Sequence, residues 1–166
     1  MGSKTILLTG GSGFIGRNIH ESFLVDKYNV LSPSSLELNV ADEKSVADYL
    51  HKHTVDVVIH AAVKPSHRNA KDFSNIFYIN TRMFFNLERY KEYFEKILVI
   101  GSGAIYDNRN YQPKMKEDSW KEHIPVDEHG YCKYVCEKVI AHCSNIYDLR
   151  VFGIFGKYED YAIRFI

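Results

Sequence analysis

The chain has 166 residues, enough for one ordinary domain with a real core. Apolar residues make up 45% and charged residues 25%, which excludes a disordered chain. Twenty-one Lys+Arg balance twenty-one Asp+Glu, and no apolar run approaches the roughly 20 residues of a membrane helix, so neither nucleic acid nor a membrane is expected as a partner.

From Lys4 to Thr9 the chain is short, apolar and closed by glycine, the pattern of a buried strand. It begins so early that no signal peptide is expected, and Ile6 stands where a myristoylation signal needs Ser or Thr. Phe14 to about Val25 carries Ile15, Ile19 and Phe23 at four-residue spacing, one face of a helix. Tyr28 to Leu31 reads as a second strand, stopped by Ser32-Pro33-Ser34-Ser35. Asp42 to about His53 reads as a helix with Val46, Tyr49 and Leu50 inward. Val55 to Val63 is nearly unbroken apolar and β-branched sequence, as expected of a strand covered on both faces. A long helix then places Phe73, Phe77, Phe84 and Leu87 on one side, and "EKILVIGSG" is another buried strand ending in Gly101-Ser102-Gly103.

Tyr106 to Asp127 shows no clean period, and loops of that length in compact domains are usually functional. Gly130 to about Cys143 reads as a helix, and "YDLRVFGIFG" as a final strand and turn. Cys132, Cys136 and Cys143, odd in number and on that helix, read as free thiols of a cytoplasmic protein. His51, His53 and His60 show no metal-ligand spacing and read as surface or packing residues, so no metal is expected.

Strands alternating with helices predict an α/β fold, a doubly wound parallel sheet of Rossmann type with right-handed crossovers. In such sheets ligands sit beyond the carboxyl ends of the strands. Gly10 to Gly16, Ala61-Ala62, Ser102 and Gly153 all fall at those ends, as one expected mouth. Gly10, Gly13 and Gly16 lie between a strand and an amphipathic helix, the context a dinucleotide fingerprint requires. The first allows the turn, the second lets backbone approach a pyrophosphate, and the third lets the helix pack closely. Ser12 and the first-turn amides near Phe14 and Ile15 then meet the phosphates.

"TGGSGFIG" resembles the fingerprint of the extended short-chain dehydrogenase/reductase family, the nucleotide-sugar epimerases, dehydratases and reductases. The resemblance runs the length of the chain, through "DVVIHAAVKP", "YINTRMFFNLE", "VIGSGAIYD" and "LRVFGIFGKYED". It is nearest the GDP-fucose synthase and dTDP-4-dehydrorhamnose reductase branch, because of "LELNVADEKSVADYLHKHTVDVVIHAAVKPS". It implies cofactor contacts from Ala61, Ala62, Lys64 and Asn80, with Asn39, beside Val40, where the family has a carboxylate near the adenine. NAD readers place an Asp or Glu at the end of the second strand. Here Ser32, Pro33, Ser34 and Ser35 stand there, with Glu37 expected out of reach. Serine hydroxyls without a carboxylate favour NADP over NAD, with Arg17 a nearby candidate for the 2′-phosphate.

The family carries Tyr-x-x-x-Lys as acid/base and ribose anchor, and a Ser that orients the reacting oxygen. Ser102 matches the serine and Lys133 the lysine, but the tyrosine position holds His129. A second register, Tyr134 with Lys138, has the right interval but loses the Gly130 and Glu137 matches. Three readings of His129 stand open: it replaces the phenol, turnover is lost, or Tyr131 or a loop tyrosine supplies the proton. The resemblance implies hydride transfer at a carbon of a nucleotide-sugar substrate, and a homodimer at full length. The alternative is a non-catalytic dinucleotide-binding module. Family members also carry a C-terminal substrate lobe. Residues 1–166 therefore read as the NAD(P)-binding domain, the N-terminal part of a longer protein. Phe155, Tyr158, Tyr161 and Phe165 are expected to form an exposed apolar patch.

Overall fold

A computed structural model describes residues 3–66 and 70–160. Five parallel strands form one sheet in the order β2-β1-β3-β4-β5: β1 (Thr5–Thr9), β2 (Asn29–Leu31), β3 (Val57–His60), β4 (Lys96–Ser102) and β5 (Ile146–Val151). The order reverses at β1, which sends β2 to one side and β3 to the other and opens a crevice at the strands' carboxyl ends.

The two faces of the sheet are covered unequally. Leu7, Val58, Ile97 and Val99 point to the face that holds the main core, against Val46, Phe84, Leu87, Cys136 and Ile140. Those residues come from α3 (Glu43–Lys52), α4 (Ile76–Glu88) and α5 (Glu128–Ile140). Ile6, Leu8 and Ile59, the alternate residues, face the other way and meet Ile19 of α1 (Phe14–His20). Toward β5 this second face is open: Tyr147, Leu149 and Phe152 are exposed.

Several local expectations need correction. The helix from Phe14 does not run to Val25; it ends at His20, and a separate turn α2 covers Leu24–Lys27. The Ser22 hydroxyl donates to the Ile19 carbonyl at 2.7 Å, an alternative to the helical ladder that ends it there. Phe23 is left 70% exposed instead of facing inward. Phe73 precedes α4 and is exposed, and Cys143 lies beyond the end of α5. Asp42, by contrast, caps α3 as its position implies, accepting from the Lys44 and Ser45 amides.

The excursion from Tyr106 to Asp127 is a chain of short 3₁₀ turns around its own small core of Ile105, Tyr106 and Trp120. Buried Asp107 holds its base by accepting from Arg109 and from Asn110. Of the expected apolar patch, Phe155 is exposed, whereas Tyr158 lies under the Arg17 guanidinium at 3.7 Å. Tyr161 and Phe165 lie outside the described residues.

Candidate functional site

The glycine turn is built by backbone contact. Gly10 takes φ +74°, which only glycine adopts without strain, and its carbonyl accepts from the Gly13 amide at 3.0 Å. A Cβ on Gly16 would fall 2.3 Å from that same carbonyl oxygen and 2.5 Å from Gly11 Cα. The helix therefore sits directly on the turn. Gly13 is the N-cap of α1 and offers no side-chain cap, so nothing stands over the first-turn amides. Thr9 Oγ1 pairs with His60 Nδ1 at 2.8 Å and accepts from the Ala62 amide at 3.3 Å, stapling the ends of β1 and β3 together under the turn.

Two clefts open from this point. The first, about 570 Å³, is lined by Gly10, Ser12, Ser34, Ser35, Asn39 and Val40 among others. Asn39 shapes its far wall, accepting from the Ala41 amide through Oδ1 and donating its own amide to Ser45 Oγ. The second, about 280 Å³, is lined by Phe14, Ile15, Ala61, Ser102, His129 and Lys133 among others. Ala62 lines both, so they form one trough across the crevice. Gly153 lines neither.

Ser102, at the end of β4, accepts from the Ala104 amide through Oγ. Lys133 Nζ donates to the Ile100 carbonyl at 2.9 Å, which ties α5 to β4. His129, one turn before Lys133, shares the same cleft wall. Burial, then the Lys133 charge, lower the His129 pKa below the usual imidazole value, so the ring is neutral near pH 7. Lys64 and Asn80 sit beside the trough, not on its walls. Asn80 accepts from the Lys64 amide and donates to the Lys64 carbonyl, and the Lys64 ammonium pairs with Asp72.

The competing tyrosines are engaged elsewhere. Tyr131 stacks on Phe77 at 5.2 Å between ring centroids, and Tyr134 packs edge-on against Trp120 with Lys138 over its ring. Tyr106 donates to the Glu117 carbonyl, and Tyr111 to that of Gly103. The helix register therefore puts His129 with Lys133 at the cleft and turns Tyr134 and Lys138 away from it.

A family model described as the NAD dependent epimerase/dehydratase family matches residues 6–162. The chain belongs to that family. A GDP-L-fucose synthase of Azorhizobium caulinodans is 26% identical over 132 residues, 77% of this chain and 42% of the relative. A putative UDP-glucose 4-epimerase of Methanocaldococcus jannaschii is 31% identical over 180 residues, 93% of this chain and 57% of the relative. The chain spans about half the length of the curated relatives it matches. The solved structure of a GDP-D-glycero-L-gluco-heptose synthase from Campylobacter jejuni, in the presence of NADPH, superposes with a TM-score of 0.82 at 18% identity. That match covers 97% of this chain and 51% of the other, and shows the shared fold.

Several groups of this family member escape sequence reasoning. Glu37, expected out of reach, lines the first cleft because the turn after Ser34 folds it back. His20 lines it too, with Nε2 3.0 Å from where a Gly11 Cβ would stand, whereas Arg17 points away onto Tyr158. His60, read from the sequence as a surface or packing residue, is buried behind Lys133, and what the sequence does not show is its pKa, brought down to about 3 by burial and by that charge. Arg150 bridges Glu137 at 2.7 Å and Asp148 at 3.1 Å beneath α5, and Asp148 occupies the space that Gly101 leaves. Glu37 reaches the cleft through a local turn on Ser34, whereas His20, His60 and Arg150 are placed by contacts between separate elements. Among the described residues no group of His, Cys, Asp and Glu is placed to hold a metal, and no helix is long and apolar enough to cross a membrane.

Proposed function

We propose that this chain is the cofactor-binding part of a nucleotide-sugar epimerase, dehydratase or 4-keto reductase that uses a nicotinamide dinucleotide, NADP(H) in preference to NAD(H). The observation that carries this reading is the single trough joining the glycine turn to Ser102, His129 and Lys133. The residues fit a dinucleotide: the positive-φ Gly10, the uncapped first turn of α1, and a cradle that a Cβ on Gly13 would enter, 3.3 Å from Gly10 O. The serines at the end of β2, together with His20, offer polar groups for a 2′-phosphate, and the Campylobacter neighbour was solved with NADPH.

The bound nicotinamide supplies the hydride acceptor or donor. Ser102 orients the sugar oxygen, and neutral His129 takes a proton from it or, once charged, returns one. Lys133 holds the ribose and, second to burial, keeps His129 neutral between turnovers. A third cleft, about 710 Å³ and lined by Tyr106, Tyr111, Met115, Arg150 and Phe152, meets the second at Phe152 and is the place for the sugar nucleotide. The protein works in the cytoplasm as a homodimer, a reading supported by its free thiols and by the exposed Leu149, Phe152 and Phe155.

One observation favours a second reading, a binding module without turnover. His129 is shorter than tyrosine and only partly exposed on the cleft wall. Titration calorimetry with NADPH and NADH, followed by turnover with GDP-, dTDP- and UDP-sugars, tests both. Loss of a measurable rate in His129→Ala supports the enzyme. An inert wild type whose His129→Tyr variant gains activity supports the module. No binding of either dinucleotide overturns both.

A further inference from the structure

Ser34-Ser35-Leu36-Glu37 has the serine-to-glutamate spacing of a capping box, but it closes a turn between β2 and α3 and not a helix. The Ser34 carbonyl accepts from the Glu37 amide at 3.1 Å and the Leu38 amide at 2.9 Å, closing one tight turn. Glu37 Oε2 then accepts from both Ser34 N–H and Ser34 Oγ–H, each at 2.8 Å. Leu36 at the tip is 97% exposed, while Leu38 anchors the turn in the main core. Those donors, the backbone amide first, keep the Glu37 carboxyl below its ordinary range, so it is an anion at neutral pH.

The turn forms part of the first cleft wall, beside His20, Ser32 and Ser35. Ser32 Oγ and His20 Nε2 crowd the same point, 1.9 Å and 3.0 Å from where a Cβ on Gly11 would stand. An amide N–H and a hydroxyl converging on one carboxylate oxygen are also the donors that grip one oxygen of a phosphate monoester. The wall thus carries an anion seat, and the protein's own carboxylate sits in it.

We propose that Glu37 is a built-in occupant of the 2′-phosphate seat. NADP(H) binds by taking the Ser34 amide and hydroxyl from the Glu37 carboxylate. NAD(H), which carries a hydroxyl there, leaves that pair in place. Glu37 therefore weakens NADP(H) alone and narrows the preference between the two cofactors. The inference rests on the dinucleotide reading above, and it concerns one carboxylate of this chain.

The test is titration calorimetry of the full chain with NADPH and NADH, and with adenosine 2′,5′-bisphosphate and AMP, which differ only in the 2′-phosphate. Glu37→Ala frees both donors; Glu37→Gln removes the charge but keeps an acceptor for the turn. Circular dichroism and a thermal melt check each fold, and Glu37→Gln carries the test if Glu37→Ala does not fold. Both variants are expected to bind NADPH and the bisphosphate roughly tenfold more tightly, the scale of a charge-assisted hydrogen bond, with NADH and AMP unchanged. Adding Ser34→Ala to Glu37→Ala is expected to cancel the gain. Unchanged or weaker NADPH binding overturns the proposal, as does weaker NADH binding, which would make Glu37 a reader of the ribose diol. Failure of all four probes overturns the dinucleotide reading with it. Tight NADH binding beside an NADPH affinity indifferent to Glu37 overturns the seat alone.

Discussion

Lys133 Nζ donates to the Ile100 carbonyl oxygen at 2.9 Å, so the cleft lysine is held by the backbone of the strand that delivers Ser102. One bond thus sets the spacing between α5 and the end of β4. Lys133→Met keeps the stem but loses that bond and the charge. It is expected to weaken dinucleotide binding at least tenfold and to lower stability by about 1 kcal/mol. It should also bring the His129 titration back toward the ordinary imidazole range, since the Lys133 charge is one of the two causes of its depression. Proton NMR of the imidazole reads that change directly; a titration that does not move would detach the lysine from His129.

The glycines of the first turn are expected to separate stability from binding. On Gly16 an added Cβ meets backbone on two sides, at 2.3 and 2.5 Å, where nothing flexible yields. Gly16→Ala is expected to cost about 1–3 kcal/mol in urea unfolding. On Gly13 an added Cβ meets one backbone atom, the Gly10 carbonyl oxygen at 3.3 Å, a tight contact and not a clash, so Gly13→Val is expected to cost less stability than Gly16→Ala. It nonetheless places a side chain where a pyrophosphate must approach, and calorimetry should show dinucleotide binding lost. Equal binding by Gly13→Val and wild type would remove the cradle.

Stability is expected to fall with acid well before the carboxylates titrate. His60 is buried, and its pKa is lowered from 6.5 to about 3. Unfolding below 6.5 therefore takes up a proton that the folded chain refuses. The contribution is complete above pH 6.5 and lost progressively toward pH 3, by roughly 1.4 kcal/mol per pH unit. His129, shifted in the same direction, adds to the upper part of that slope. Urea unfolding at pH 7.5, 6 and 5 measures the slope, which His60→Gln is expected to flatten.

The pair of ion bridges under α5 is expected to respond unequally to its two ends. Arg150→Met leaves the carboxylates of Glu137 and Asp148 buried without their cation, and should cost roughly 3–5 kcal/mol. Glu137→Gln costs much less, because burial already raises the pKa of this acid and the neutral amide keeps an acceptor for Arg150. Chemical unfolding of the two variants in parallel ranks them, and a reversed order would contradict the burial argument.

What was legible in the sequence is what short-range chemistry dictates. An apolar strand followed by Gly10, Gly13 and Gly16 allows few structures, because the turn, the helix start and the close packing lie within one short run. The four-residue interval from His129 to Lys133 likewise places both on one helical face wherever the helix goes. The misreadings occurred where two local patterns compete or where distance along the chain hides contact. Phe23 kept helical spacing, yet the Ser22 hydroxyl ended the helix three residues earlier. Arg17, a candidate for the 2′-phosphate, packs its guanidinium over Tyr158, a contact hidden by distance along the chain.

By itself, then, the sequence determined the strand and helix alternation, the dinucleotide turn and the family, since these follow from patterns within a few residues. Only the tertiary structure decided that the turn from Ser34 to Glu37 stands on the cleft wall, that His60 stands uncharged behind Lys133, and that Arg150 joins Glu137 to Asp148. The physical reason is the same in each case. Burial and charge act through space, and the neighbours that set them arrive from strands and helices that meet only once the sheet has formed.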